Sequence, residues 1–293
     1  METTLSRDTL IIGGTGTLGT ALLETMDPSK VIIFSRDELK QHELMHKYPS
    51  LKCVLGDIRI KASIEKAMDC LYGNKRVFHV AALKHVDVLE ANPEEAYRTN
   101  ILGTVNSAEV AKKNNVQDFY FTSTDKAVLP INVYGMTKAI SERYLLNQND
   151  KKPFSTRFKV FRWGNILGSR GSVVALFAKS LLRDSAVYVT DKRMTRFWLK
   201  IEDAVKYMLE FGGDYTKVNF PDMKAASVLD VACAVAEVLG IKDFKVKDIG
   251  IRPGEKLHEC MYTSHEECLR SDTAPSFSHN ELVDLVKPIV ETL

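Results

Sequence analysis

Cysteine, net charge and long apolar stretches are all scarce in this sequence of 293 residues. The five cysteines are irregularly spaced and form no C-x-x-C pair, so we expect reduced thiols and neither a disulfide framework nor a bound metal. The formal net charge is +2, with both signs spread along the chain. That balance argues against a nucleic-acid-binding surface.

The apolar runs are too short to span a bilayer. The run "SVVALFAKSLL" is interrupted by lysine, and the first residues, "METTLSRDTL", lack the apolar block of a signal peptide. We therefore expect no membrane association and a cytoplasmic location. Hydrophobic residues make up 45% and charged residues 27% of the chain, which is typical of a globular protein.

Short β-branched runs alternate with helical stretches through the first half of the chain. The predicted strands are "TLIIGG", "KVIIFS", "LKCVLGD", "RVFHVAAL" and "DFYFTST". This alternation predicts an α/β fold with a Rossmann-type doubly wound parallel sheet, whose ligands bind at the carboxyl ends of the strands. After about Gly164 the pattern loosens, which indicates a smaller C-terminal α+β substrate domain.

We accordingly expect a cofactor-binding Rossmann domain over residues 1–163, with a returning segment near 198–222. Residues 164–197 and 223–293 would form the substrate-binding domain. The C-terminal stretch "HNELVDLVKPIVETL" predicts a helix that is broken by Pro288.

The segment "IIGGTGTLG" places closely spaced glycines between the first strand and the first helix. Glycines there allow a tight turn and let backbone N–H groups approach a pyrophosphate at the helix N-terminus. An ordinary strand-to-helix turn is the alternative, but the position after the first strand favours a dinucleotide site. The candidate cofactor residues of this loop are Gly13, Thr15, Gly16, Thr17, Leu18 and Gly19.

The second strand ends at Ser35-Arg36-Asp37, where an NAD enzyme carries an acid against the ribose 2′-hydroxyl. A guanidinium at Arg36 suits a 2′-phosphate, with Ser35 and Lys40 as helpers, so we predict NADP rather than NAD. If Asp37 faces the ribose, the preference reverses. Alternatively, Arg36 only pairs with Asp37 at the start of a helix.

Two further strand ends are assigned to the cofactor by position. Asp57 and Ile58 follow the third strand, where an adenine edge would lie, and Ala81 and Ala82 follow the fourth and leave room for a flat ring. Alternatively, these small residues at a strand end serve only to pack neighbouring elements together, which is common.

Tyr134 and Lys138 are four residues apart in "YGMTK" and lie on one helix face. A phenol titrates near pH 10, so Tyr134 needs a neighbouring cation to act as a base, and we expect Lys138 to supply it. Both residues would also contact the cofactor. Thr124, at the end of the preceding strand, can donate to a substrate oxygen, and the set predicts a dehydrogenase step.

The glycine loop, "TSTD" and "YGMTK" resemble the extended short-chain dehydrogenase/reductase family, whose members act on nucleotide sugars. More narrowly, "SRDELKQHE", "AALKHV", "STDKAVLPINVYGMTKAISE", "GNILGSRGSV", "TDKRMTRFW" and "IGIRPGEKLHE" resemble the inverting UDP-N-acetylglucosamine 4,6-dehydratases, which also epimerise C5. These blocks extend from near residue 12 to about residue 259.

The resemblance implies a role for Asp125 and Lys126, where retaining sugar dehydratases carry Asp-Glu. A 4-ketone acidifies the C5 proton; Lys126 would take that proton while Asp125 protonates the departing C6 hydroxyl. As a base, Lys126 must be neutral, and we expect burial beside Lys138 and an oxidised nicotinamide to lower its pKa. This division of roles is a hypothesis, and a salt bridge at a loop start is the alternative.

The resemblance also implies the substrate contacts. Arg196 and Arg252 would grip the diphosphate, Glu255 would accept from a ribose hydroxyl, and Lys84 would face the sugar or the cofactor. Without the motifs, each arginine would be assigned to the surface. The remaining candidates are Asn165, Gly171, Ser172, Val173 and Thr190.

The activity so implied is C5-inverting dehydration of UDP-N-acetylglucosamine, with NADP bound throughout turnover. Members of the resembling group form homo-oligomers, from dimers to hexamers. The alternatives are a C5-retaining 4,6-dehydratase, a UDP-sugar 4-epimerase and a non-catalytic NADP-sensing protein. An epimerase does not require the Asp125-Lys126 pair, and a sensing protein does not require Tyr134 with Lys138.

Overall fold

The computed structural model describes residues 8–149, 156–169, 171–263 and 268–293. In these ranges the strands are β1 (Asp8–Ile12), β2 (Val31–Ser35), β3 (Lys52–Leu55), β4 (Lys75–His79), β5 (Asp118–Thr124), β6 (Arg157–Trp163), β7 (Asn165–Ile166), β8 (Ala186–Val189), β9 (Thr195–Leu199), β10 (Val218–Asn219), β11 (Lys224–Ser227), β12 (Lys245–Asp248), β13 (Cys260–Thr263) and β14 (Cys268–Arg270).

The α-helices in the same ranges are α1 (Thr17–Glu24), α2 (Glu38–Lys47), α3 (Lys61–Met68), α4 (Val86–Ala91), α5 (Pro93–Ala96), α6 (Gly103–Lys113), α7 (Val133–Gln148), α8 (Val173–Asp184), α9 (Ile201–Leu209), α10 (Val228–Val238) and α11 (His279–Val290). A π-helical segment, Tyr97–Leu102, precedes α6, and a 3₁₀ turn, Asp125–Ala127, follows β5.

Seven strands form one sheet in the order β3-β2-β1-β4-β5-β6-β10, and all of its pairings are parallel. The fold prediction of a doubly wound Rossmann-type sheet is confirmed. The strand order reverses between β1 and β4, and in such sheets the crevice at this point binds ligands. The short edge strand β10 returns from beyond the smaller region to pair with β6.

The central strands are continuous apolar runs because helices cover both faces of the sheet. All five residues of β2 are buried. On one face, Phe78, Tyr120, Phe161 and Trp163 from neighbouring strands form a stacked row with ring centroids 4.4 to 6.0 Å apart. This packing fixes the carboxyl ends of β4, β5 and β6 relative to one another.

The smaller region is built from short sheets, β11-β9-β7, β12-β8 and β13-β14, and from helices α8, α10 and α11. The three helices share an apolar core that includes Leu181, Val235 and Val286, each fully buried. The prediction that Pro288 breaks the last helix is wrong, because α11 continues through it to Val290. The proline removes one N–H donor close to the helix end, and buried residues upstream hold the helix in place.

Across the ranges given above, we find no helix that combines the length and the apolar composition needed to cross a bilayer.

Candidate active site

The glycine loop brings the backbone of β1 against that of β4. Gly13 has a φ of +86°, and a Cβ on it would lie 2.7 Å from the backbone of Ala81. Gly16 is the N-cap of α1 and has no side-chain cap, which leaves first-turn N–H groups to bind an anion. A methyl group at Gly19 would overlap the backbone of Gly14. Close approach of the backbone therefore requires glycine in this loop, as expected of a loop that binds a pyrophosphate.

Two cavities meet at this loop. One, of about 540 Å³, extends over the ends of β4, β5 and β6. The other, of about 710 Å³, extends over the ends of β2 and β3, and both include Gly13, Gly16 and Ala82. Six further predicted cofactor residues line the first cavity: Thr17, Leu18, Gly19, Lys84, Tyr134 and Lys138. Seven others line the second cavity: Thr15, Ser35, Arg36, Asp37, Lys40, Ile58 and Ala81.

The end of β2 presents a cation to the second cavity. The Asp37 side chain accepts from the backbone N–H of Lys40 and pairs with the Lys40 ammonium, so this carboxylate caps α2. The Arg36 side chain is 48% exposed and lies 3.6 Å from Asp57. Asp37 is thus engaged by Lys40, and Arg36 pairs with Asp57.

Asp57 does not line either cavity as the described residues define them. Its carboxylate accepts two bonds from the Arg59 guanidinium, at 2.6 and 2.8 Å, and one from the Arg59 backbone N–H at 2.9 Å. Burial opposes its ionisation, but Arg59 and Arg36 lower the pKa of Asp57 overall. Contact between Asp57 and an adenine stays a prediction.

The turn after β5 concentrates the reactive side chains. Asp125 is completely buried and lies 3.1 Å from the Lys126 ammonium, while its Oδ1 also accepts from the Thr124 hydroxyl at 3.0 Å. Among the described residues, Oδ2 of Asp125 has no hydrogen-bond partner. Burial, which outweighs the attraction of Lys126, raises the pKa of Asp125. A raised pKa makes it easier for this carboxyl to take up a proton, which it can then donate to a leaving hydroxyl.

Lys126 lines the first cavity, and its Nζ lies 3.1 Å from Asp125 and 3.3 Å from Glu259. The expectation of a lowered pKa for Lys126 is wrong with respect to the protein groups around it. Burial does lower the pKa of Lys126, but the carboxylates of Asp125 and Glu259 more than offset it and raise the pKa above its ordinary value. The expectation considered Lys138 as the neighbour and did not include Glu259.

Tyr134 and Lys138 project from α7 into the first cavity. Burial raises the pKa of Tyr134 to about 12, and the groups that partly offset it are Lys126 and a hydrogen bond with Thr124. Lys126 is thus the cation that lowers the pKa of Tyr134 in this arrangement, and the role of Lys138 as the stabilising cation stays a prediction. Burial lowers the pKa of Lys138 itself to about 7, with Glu142 opposing the change. The Lys138 Nζ lies 3.8 Å from the centre of the Phe121 ring.

A buried ion pair supports the helix that carries Tyr134 and Lys138. The Arg162 guanidinium, on β6, donates to both oxygens of Glu142, on α7, at 2.7 and 3.1 Å. The same guanidinium donates to the carbonyl of Met261 at 2.6 Å. The pair thus joins the central sheet, the Tyr-Lys helix and β13.

The predicted substrate residues fall into two groups. Five of them line the first cavity: Lys84, Asn165, Gly171, Ser172 and Val173. The other four, as far as the described residues show, lie outside both cavities: Thr190, Arg196, Arg252 and Glu255.

Arg196 is 8% exposed, and its guanidinium donates to the carbonyl oxygens of Thr195, Lys256 and Leu257 at 2.7, 2.9 and 3.1 Å. Arg252 is exposed, and its backbone N–H donates to Glu255. Diphosphate binding by either arginine stays a prediction.

Sequence reasoning did not assign Glu259 or Glu142. Glu259 is 2% exposed and contacts Lys126. It is the last residue of the block "IGIRPGEKLHE", yet no role was assigned to it. Glu142 follows Lys138 by four residues on α7, a spacing that places both on one helix face. That spacing was a usable signal for Glu142, whereas only tertiary packing identifies Glu259.

The parallel sheet, the glycine loop at its switch point and the Tyr134–Lys138 pair define a nicotinamide-dinucleotide-binding enzyme of the short-chain dehydrogenase/reductase class. The chain belongs to the polysaccharide biosynthesis protein family, whose model matches residues 9–281.

Two curated relatives and one solved structure are informative. A Campylobacter jejuni protein named UDP-N-acetylglucosamine 4,6-dehydratase (inverting) is 42% identical over 277 residues, which are 90% of this chain and 79% of that protein. A Rickettsia massiliae protein named UDP-glucose 4-epimerase is 37% identical and is covered to 80%, with 90% of this chain matched. The X-ray structure of Pen from Bacillus thuringiensis superimposes with a TM-score of 0.88 at 32% identity, covering 97% of both chains.

Proposed function

We propose that this protein is a UDP-N-acetylglucosamine 4,6-dehydratase that inverts C5 and yields UDP-2-acetamido-2,6-dideoxy-L-arabino-hex-4-ulose. The observation that carries the proposal is the Asp125-Lys126 pair at the first cavity, 3.1 Å apart and beside Tyr134. It is supported by two relatives that bear this dehydratase name, at 42% and 40% identity over 90% and 96% of the chain.

The cofactor is NADP, which is held through turnover. The glycine loop would bind its pyrophosphate, and Arg36 would bind its 2′-phosphate, because Asp37 is engaged as the cap of α2. Bound there, NADP would supply reversible hydride acceptance, which would let C4 of the sugar be oxidised and C6 be reduced within one turnover.

Tyr134 takes the proton of the C4 hydroxyl, and Thr124 hydrogen-bonds the same oxygen. Because burial raises the pKa of Tyr134 to about 12, the phenolate needs nearby positive charge, which the Lys126 ammonium supplies before it transfers its proton to Asp125. Lys138 orients the cofactor and adds charge when it is protonated.

Asp125 and Lys126 carry out the elimination that follows. The C5–H bond breaks and a new N–H bond forms at the neutral amine of Lys126. The C6–O bond then breaks, and the oxygen leaves as water with the proton of Asp125. A proton derived from solvent then adds to C5 from the opposite face of the ring and inverts that centre.

The sugar nucleotide occupies the remainder of the first cavity. Asn165 and Lys84 would contact the sugar, and Gly171, Ser172 and Val173 at the start of α8 would cover the uridine. Thr190, Arg196, Arg252 and Glu255 would reach the diphosphate and ribose only after a rearrangement of their present contacts.

A UDP-sugar 4-epimerase is the second candidate, since relatives with that name are 37% identical over 90% of the chain. A C5-retaining dehydratase is the third. Neither reaction requires a lysine after Asp125, and a non-catalytic NADP-sensing protein requires no buried acid and base at all. The Asp125-Lys126 pair therefore favours the inverting dehydratase.

Incubation of the purified protein with UDP-N-acetylglucosamine in heavy water, without added cofactor, tests the proposal. We expect loss of one water from the sugar, deuterium at C5 and a proton coupling pattern of inverted configuration. A galacto epimer alone would indicate the epimerase, and deuterium at C5 with retained configuration would indicate the retaining enzyme. Unchanged substrate would contradict all three activities.

A homo-oligomer, from dimer to hexamer, is part of the same proposal. Met136 and Ile140 are 45% and 53% exposed on the outer face of α7 and offer an apolar surface for assembly. Sedimentation equilibrium of the purified protein measures its mass directly.

A further inference from the structure

Glu259 places a buried negative charge beside the acid–base pair without lining the cavity. One oxygen lies 3.3 Å from the Lys126 ammonium and 3.8 Å from the Arg196 guanidinium, and the other lies 3.8 Å from the Lys256 ammonium. The residue is 2% exposed. Such a charge acts over short distances with little solvent screening.

The backbone of Glu259 is fixed on both sides. Its N–H donates to the Ser271 hydroxyl at 2.9 Å, and its carbonyl accepts from the Ser271 N–H at 2.9 Å. The Ser271 hydroxyl also contacts Thr195 on β9. Glu259 therefore has little freedom to move away from Lys126.

The charged and titratable groups around Glu259 come from four parts of the fold. Asp125 and Lys126 on the 3₁₀ turn, Arg196 on β9 and Lys256 three residues before it act on Glu259 directly, and Tyr134 on α7 acts on Asp125 and Lys126. His258 faces away, toward Thr195 and Asp272.

The reaction requires Lys126 as an amine and Asp125 as an acid. One proton transfer across the 3.1 Å contact prepares both: an N–H bond of the ammonium breaks and an O–H bond forms on the Asp125 carboxylate. No other reagent is needed, and the elimination then restores the ion pair.

We propose that Glu259 is a positioning residue that fixes Lys126 and sets how tightly the Asp125-Lys126 pair holds its shared proton. The inference rests on the proposed dehydratase function.

The negative charge of Glu259 acts in the same direction on Asp125 and on Lys126. Burial opposes ionisation of Glu259, but Lys126, Arg196 and Lys256 lower its pKa, so that it remains a carboxylate. Glu259 contributes to raising the pKa of Lys126 and that of Asp125. A bell-shaped pH–rate curve has two limbs, one set by proton gain by the Asp125-Lys126 pair and one by proton loss from it. Removal of Glu259 lowers the pKa values that set both limbs, so the whole curve moves to lower pH.

The test compares Glu259→Gln with wild type by following deuterium exchange at C5 over a pH series. We expect the ratio of variant to wild-type rate to fall continuously as pH rises, by about tenfold or more across the series. Affinity for NADP and KM for the sugar nucleotide should change by less than about threefold. A ratio independent of pH would overturn the proposal, because it is what a merely structural role produces.

Three companion variants sharpen the test. Glu259→Asp keeps the charge and should restore the position of the curve. Lys256→Met removes a cation that offsets the charge of Glu259, so the pH–rate curve of this variant should move the opposite way, to higher pH. If Glu259→Gln fails to fold, Lys256→Met still tests the proposal. Glu237→Gln, on the exposed surface of α10, is the control and should leave the curve unchanged.

A readout on the ligand-free protein separates this proposal from the function. Reductive methylation modifies only the neutral amine, and peptide mass spectrometry reads Lys126 individually. At a fixed pH we expect Lys126 of Glu259→Gln to react several-fold faster than that of wild type. If wild type fails to dehydrate the sugar, the proposed function is wrong, whereas equal methylation rates refute the role of Glu259 alone.

Discussion

Gly135 on α7 packs directly against the carbonyl oxygen of Lys126, so closely that a methyl group at this glycine would overlap that oxygen. The contact sets the distance between the helix that carries Tyr134 and Lys138 and the turn that carries Asp125 and Lys126. Asn132 reinforces it, since its side chain accepts from the Gly135 N–H and donates to the Gly254 carbonyl. The phenol and the acid–base pair are therefore positioned as one unit.

Gly135→Ala should displace the turn from the helix. Forced overpacking costs about 1–3 kcal/mol, so we expect a lowered free energy of unfolding together with a disproportionate loss of dehydration. Urea denaturation and product formation measure the two effects. Gly212→Ala is the matched control, because a Cβ there would meet open space. Equal activity of Gly135→Ala and wild type would contradict the positioning role.

Asp125 and Lys126 are separable by two variants. Lys126→Ala should bind NADP normally and lose both C5 exchange and dehydration, because the base is gone. Asp125→Asn should retain C5 exchange, because loss of the Asp125 charge lowers the pKa of Lys126 and lets the amine form without transfer to residue 125. Water loss should slow by about 10²–10⁴-fold, the usual contribution of a general acid. Deuterium incorporation and product mass distinguish the two steps. Dehydration by Lys126→Ala at a near wild-type rate would remove Lys126 from the mechanism.

Sequence pattern was sufficient for the central sheet and for the contiguous part of the site. The buried runs in β1 and β2, the glycine loop and the stretch from Thr124 to Lys138 all lie in short segments whose spacing carries the information. Local patterns of this kind can be interpreted without knowledge of distant contacts.

The protonation states could not be predicted in the same way. The pKa of Lys126 is raised by Asp125 and by Glu259, and Glu259 reaches it only because β13 packs beside the 3₁₀ turn. Similarly, the pKa of Lys138 is lowered by burial beside the Phe121 ring, a consequence of how α7 packs on β5. Both pKa shifts depend on tertiary packing, which local spacing in the sequence does not reveal.

Arg36→Met tests the choice of cofactor. A hydrogen bond to a charged group contributes about 1.5–3 kcal/mol, so NADP affinity should fall roughly tenfold or more while NAD affinity changes little. Fluorescence titration with each dinucleotide gives the ratio. Asp37→Asn is the control, because it alters the cap of α2 and should leave the selectivity of Arg36 intact. Unchanged selectivity in Arg36→Met would assign the 2′-position to another residue.

Arg162→Met should be strongly destabilising. The side chains of Arg162 and Glu142 are 11% and 5% exposed, so the variant leaves a buried carboxylate without its partner. Breaking a buried pair from one side costs about 3–5 kcal/mol. Denaturant unfolding measures the loss, and the double variant Arg162→Met with Glu142→Leu should recover much of it. If the double variant is no more stable than the single one, the cost does not come from the stranded charge.

Lys138 should make the stability of the protein rise with pH. Its pKa is lowered from 10.5 to about 7, with burial as the largest cause. Between these two values the unfolded chain holds a proton on Lys138 that the folded chain does not. The unfolded state thus binds more protons, and the free energy of unfolding increases as pH rises through this window, by up to about 1.4 kcal/mol for each pH unit.

Lys138→Met removes this dependence because methionine does not titrate. Urea denaturation at about pH 7 and about pH 9 should therefore show a smaller rise in unfolding free energy for the variant than for wild type. The exposed Lys66, replaced by methionine, serves as the control and should keep the wild-type rise. Since other groups also titrate in this range, the informative quantity is the difference between variant and wild type. An identical rise in both would mean that Lys138 remains protonated in the folded protein, and that its burial against Phe121 does not displace the proton.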